Sequence, residues 1–185
     1  MHAENRSREE RRISWQTSVL APLYRGRNPS CWQDDIGGVR FIGIDNSTGL
    51  VTAAQLQLFK SATKMAAACV PPLPVVLLVH IPLFEQRLLE IISAAAFSRR
   101  PGSPPEPAMD ASALCGGPAT ADASTLEFVE AVRECTGLGA ILCGHIHTAQ
   151  AQPYGSCGAT QLVADGGVFG GTRLLDLVPS VNAKL

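Results

Sequence analysis

The residues best suited to chemistry in this 185-residue chain are imidazoles, and they sit where apolar runs stop. Ile141-Leu142-Cys143 ends at Gly144, and Gly144-His145-Ile146-His147 puts two histidines one residue apart. Val75-Val76-Leu77-Leu78-Val79 is closed in the same way by His80, followed by Ile81-Pro82. The chain has four histidines, and only His2, in the polar N-terminal stretch, falls outside this pattern. Imidazole nitrogens bind first-row transition metals, so His80, His145 and His147 are the candidate metal ligands. Each also has an ordinary reading. A lone histidine such as His80 is more often a hydrogen-bonded turn residue, and residues two apart share a side only while the backbone stays extended.

Two other candidates are weaker. Asp45 stands at a strand tip, but Asp45-Asn46-Ser47-Thr48-Gly49 is rich in side chains that bond their own backbone and make turns, which is the role expected for it. Cys143 lies two residues before His145, as a cysteine nucleophile beside its base could. The sequence supplies no orienting acid, however. No catalytic residue is assigned.

The elements that must carry these rings can be read from periodicity and caps. Val39–Ile44 reads as a strand ending at the Asp45 turn, and Thr52 with Gln55 forms a capping box for a helix that Pro71 closes. Val75–Val79 is a continuous aliphatic strand, buried on both faces. Phe84, Leu88, Ile91 and Ala95 predict a helix up to about Phe97. Residues 99–123, rich in Pro and Gly, read as a disordered insert. Ser124-Thr125-Leu126-Glu127 is a second capping box, and its helix ends near Gly137. Ala140–Cys143 is then the short strand presenting His145 and His147. Strands over Thr160–Ala164 and Val168–Val178 follow, joined through Asp165-Gly166-Gly167 as a hairpin turn. The expectation is an α/β protein with mixed sheets. Residues 1–38 form a poorly ordered tail, 39–178 the folded unit, and 179–185 a C-terminal tail.

Composition narrows the function classes. Apolar residues are 46% and charged residues 17%, which fits a globular chain rather than a disordered one. A formal net charge of −1 gives no electrostatic basis for nucleic acid or an anionic membrane. The apolar window Met65–Phe84 is broken by Pro71, Pro72 and Pro74, so it reads as loop plus buried strand rather than a membrane span. Met1–Arg12 is polar with no apolar segment after it, and the six cysteines contain no Cys-x-x-Cys pair. Reduced thiols in an intracellular, cytoplasmic protein are therefore expected.

The order Val75-Val76-Leu77-Leu78-Val79-His80-Ile81-Pro82, then Gly144-His145-Ile146-His147, resembles the C-terminal half of the calcineurin-like metallophosphoesterases. The resemblance implies part of a four-layer α-β-β-α sandwich whose N-terminal half is missing. It also implies hydrolysis of phosphomonoesters or phosphodiesters with two divalent ions (Mn, Fe or Zn). His80 and His145 would then hold one ion, His147 would hold the other, and Gly144 would keep the approach clear. The family's Asp-x-His, Gly-Asp and Gly-Asn-His motifs are absent. His2, Asp34 and Asp35, the His and Asp residues of the first 38, are not so arranged. Three imidazoles lack the negative charge that holds two dications close together. The expectation is thus a fragment or an inactive remnant, with the fragment preferred. A phosphate ester would be the substrate only of the intact domain. The alternative is a non-catalytic interaction module, with a protein partner covering the exposed half-domain face.

Overall fold

The computed structural model describes residues 27–97, 114–117, 121–146, 149–156, 158–164 and 175–176. In chain order these form β1 (Cys31–Ile36), β2 (Val39–Ile44), α1 (Ala53–Ala67), β3 (Val75–Val79), α2 (Gln86–Phe97), α3 (Ala123–Arg133), β4 (Leu138–Cys143), β5 (Gln150–Tyr154) and β6 (Ala159–Val163). The strands make one six-stranded sheet in the order β1-β2-β3-β4-β6-β5. β2, β3, β4 and β6 are parallel, so their C-terminal ends share one edge. β1 and β5 close the two sides antiparallel. The sheet is mixed, as the sequence predicts. The four-layer arrangement implied by the resemblance goes beyond these residues, which contain one sheet.

Strand alternation divides the sheet into two faces. Ile42, Ile44, Val75, Leu77, Val79, Ile141 and Val163 join Leu56, Phe59, Leu88, Phe128 and Val132 of the helices in one buried cluster. All three helices feed that cluster. The other alternate set, Phe41, Val76, Leu78, Ala140, Leu142 and Leu162, is apolar too, and none of it belongs to the cluster. Among the described residues no helix is long and apolar enough to cross a membrane.

α1 starts where the sequence predicts. Thr52 accepts from the Gln55 backbone N–H at 3.3 Å, and Gln55 Oε1 accepts from the Thr52 N–H at 2.8 Å, completing the reciprocal box. α3 does not. Its cap is Asp122 rather than Ser124, with the carboxylate accepting from the Thr125 N–H at 2.8 Å. Thr125 is instead turned inward, where its hydroxyl accepts from the Val51 N–H at 2.8 Å. Hydrogen bonds from the Thr125 side chain and backbone hold the Asp122 carboxyl below the usual carboxylate range. The folded value is lowered, so this stabilisation is complete above the unfolded value of about 3.9 and is lost as pH falls through the folded one. Asp122→Ala should cost about 1 kcal/mol. Thermal melts at pH 7 should show a drop of roughly 2–4 °C, with Asp122→Asn near wild type. Coincident melts for the alanine variant and wild type would rule the cap out.

Three expectations need correction. Residues 31–36 are a strand, not tail: Ile36-Gly37-Gly38-Val39 is a two-residue hairpin with both glycines at positive φ, 60° and 78°. Asp34 and Asp35 sit on that strand and are committed to arginines. Asp34 accepts from Arg27 at 2.9 Å, and Asp35 accepts from Arg40 through both oxygens at 2.7 Å. This hydrogen-bonded pair lowers the Asp35 carboxyl and lets the buried Arg40 keep its charge while donating to Ala62 O. β5 is a second unpredicted strand.

The third correction concerns the expected disordered insert, part of which is core. Leu114 and Cys115 are buried, and the Cys115 N–H donates to Pro82 O while Cys115 O accepts from the Phe84 N–H. Burial pushes the Cys115 thiol up to about 11, so it packs as a neutral side chain. None of the five described cysteines is in a disulfide. The expected hairpin and strand over 165–178 lie outside the described residues, apart from 175 and 176, which are not in a strand.

Candidate metal centre at the C-terminal edge of the sheet

The parallel strands bring four chain tips to one edge. In register, Ile44 pairs with Val79, Leu78 with Leu142, and Cys143 with Val163. The residues just beyond therefore lie side by side: Asp45, His80, Gly144 and Ala164. Backbone bonds extend the sheet one step past its strands, from Gly144 N to His80 O at 3.0 Å and from Ala164 N to Cys143 O at 2.8 Å. In open parallel sheets ligands bind outside the carboxyl ends of the strands, the edge from which the crossovers leave.

His80 and His145 meet at this edge. His145 Nδ1 lies 3.3 Å from His80 Nε2, and the ring centroids are 5.1 Å apart at 73°. Both residues are exposed. His145 reaches this position through an unusual backbone. It has φ +69°, the one positive value at a non-glycine residue among the described residues. The Ile146 N–H folds back to Gly144 O at 2.8 Å, closing a three-residue turn around it. A side chain in that region is sterically disfavoured. The turn swings the ring out of the β4 direction toward His80, while Ile146 goes into the core with 2% exposure. His147, the remaining sequence-predicted ligand, lies outside the described residues.

Two buried amides position the loop after β3, and sequence reasoning assigns neither a role. Asn46 is fully buried. Its Oδ1 accepts from the N–H groups of His80 at 2.8 Å and Ile81 at 2.9 Å, and its Nδ2 donates to Ile81 O at 2.8 Å. Gln161 of β6, also fully buried, accepts from the Leu83 N–H at 2.9 Å and donates to Leu83 O at 3.2 Å. The Asp45 carboxylate accepts from the Ser47 N–H at 3.0 Å, which is the turn role expected for it. Cys143 is turned into the core cluster, with its thiol donating to Leu162 O at 3.4 Å. A polar residue at an inward position of an apolar strand was the available signal for Gln161. For Asn46 it was an amide two residues past the end of a buried-type strand.

The imidazole spacing fits a shared ion. Two nitrogens each about 2.0–2.1 Å from one zinc ion, at a tetrahedral angle, are about 3.3–3.4 Å apart. The same rings could also share one proton as a long hydrogen bond, with the donor set by tautomer. Among the described residues no group of three or more His, Cys, Asp or Glu side chains converges. Among the described residues the two imidazoles are therefore joined by no third such side chain and by no bridging carboxylate.

No protein-family model matches the sequence, and no curated protein matches it. Among solved structures, a dimetal phosphatase from Danio rerio superposes with a TM-score of 0.49 at 10% identity, covering 84% of this chain. The chain spans 56% of that chain's length.

Proposed function

We propose that this chain carries the imidazole half of a metal-dependent phosphoesterase site. In this reading His80 and His145 hold one divalent ion, and His147 contributes to a second. The observation that carries it is the 3.3 Å approach of His145 Nδ1 to His80 Nε2 across two separate strand tips. Its second support is the resemblance of both tips to one family in the same order. A divalent ion bound there would supply Lewis-acid neutralisation of phosphate oxygens. The chain's own part is to fix two nitrogen donors at the sheet edge and to keep Cys143 and the Asp45 carboxylate turned to structural partners.

Hydrolysis of a phosphomonoester or phosphodiester is the activity of the intact site. The purified 185-residue chain should bind Zn2+ or Mn2+ in isothermal titration and should not turn over an aryl phosphate with Mn2+ added. Measured turnover would show that the ligand set is complete within this sequence. A second reading, a non-catalytic interaction module, is favoured by the apolar set Phe41, Leu78, Leu142 and Leu162 on the face outside the core cluster. It requires protein that takes up no metal, so the same titration separates the two.

A further inference from the structure

The Asn46 side chain bonds the backbone of His80 and of Ile81, and none of these bonds is to the His80 ring. Oδ1 takes the N–H groups of His80 and Ile81, and Nδ2 gives to Ile81 O. The other side of His80 is held just past β4, where the Gly144 N–H donates to His80 O at 3.0 Å. The backbone of His80 is thus gripped from the turn after β2 through a side chain and from the residue after β4 through the main chain. The residue after Gly144 is His145. One peptide therefore sets the separation of the two rings. An amide fits the position of Asn46 because it accepts and donates at once. A carboxylate would lose the donor, and a hydroxyl on a shorter stem would not span both N–H groups.

We propose that Asn46 is the positioning residue of the His80–His145 pair, acting through the His80 backbone to hold the two imidazoles at ligand spacing. The metal readout of this proposal rests on the function proposed above, and the ring-proximity readout does not.

The test uses the full chain with isotope-labelled histidine, metal-free, and reads the nuclear Overhauser effect between the His80 and His145 rings. Signals are assigned with His80→Gln and His145→Gln. Wild type should show the cross-peak. Asn46→Ala should abolish it while keeping the α/β circular dichroism, and should bind Co2+ about 10–100-fold more weakly, the usual cost of losing an outer-shell partner. Val132→Ala, a core change in α3, is the control for lowered stability and should keep the cross-peak and the Co2+ affinity. If Asn46→Ala does not fold, Asn46→Asp decides. It retains the acceptor for both N–H groups and should keep the cross-peak, and a missing cross-peak in folded protein would refute the proposal. Persistence of the cross-peak in folded Asn46→Ala, or its absence in wild type, also refutes it. A cross-peak present in wild type and absent from Asn46→Ala, with no Co2+ uptake by any variant, leaves the positioning role standing and removes the metal reading instead.

Discussion

Replacing His145 with alanine should reduce Co2+ or Zn2+ binding by more than the roughly 10–100-fold lost when only an outer-shell partner is removed. The reason is the small number of donors. Two imidazoles meet among the described residues, so removing one leaves a single ring of the pair at an exposed edge. His80→Ala should have an effect of the same size, since each ring contributes one nitrogen to the 3.3 Å approach. His2→Ala serves as the comparison, because His2 belongs to neither strand-end motif in the sequence. Titration followed by the visible absorption of bound Co2+ would report both affinity and coordination. If His145→Ala and wild type bind equally well, the site does not lie at this edge, and the close rings are only a hydrogen-bonded pair.

The second large effect belongs to the core behind the site. Phe59 of α1 and Phe128 of α3 are buried, with ring centroids 5.3 Å apart at 73°, an edge-to-face contact. It ties together the helix that follows β2 and the helix that precedes β4. Phe128→Ala should cost about 3–5 kcal/mol, because the cavity it opens is lined by helix and sheet residues that can collapse only partly. Against a total of about 5–15 kcal/mol for an ordinary domain, that is a large share. In a chain of this size the melting temperature should fall by roughly 6–20 °C. A double-mutant cycle with Phe59→Ala should return a coupling of about 0.5–1.5 kcal/mol for the ring pair. A cost below about 1 kcal/mol for Phe128→Ala would mean that α3 is not packed as described.

What the sequence showed and what it hid follow from which signals are local. β3 was legible to the residue because Val75–Val79 is uninterrupted and buried, and such a run has few alternatives. α1 was legible because Thr52 and Gln55 complete a cap within four residues. His80 and Gly144-His145 stood out because each follows a buried strand. Edge strands were not legible. β1 carries Asp34 and Asp35, and β5 contains Pro153, a residue tolerated at a sheet edge because no second neighbour needs its N–H. Cys115 was hidden because its partners, Pro82 and Phe84, lie more than 30 residues away in sequence. Asn46 and Gln161 were hidden for a related reason. Each meets distant backbone, so nothing near it in sequence marks it as more than a turn residue or a stray polar one.

The left-handed backbone at His145 also bears on how this protein could be engineered. Glycine would occupy that turn with less strain, and asparagine tolerates it better than most side chains do. A programme that improved thermal robustness alone would be drawn to these replacements at position 145, and would erase one of the two rings in doing so. Foldability and ring placement pull in opposite directions at this one residue.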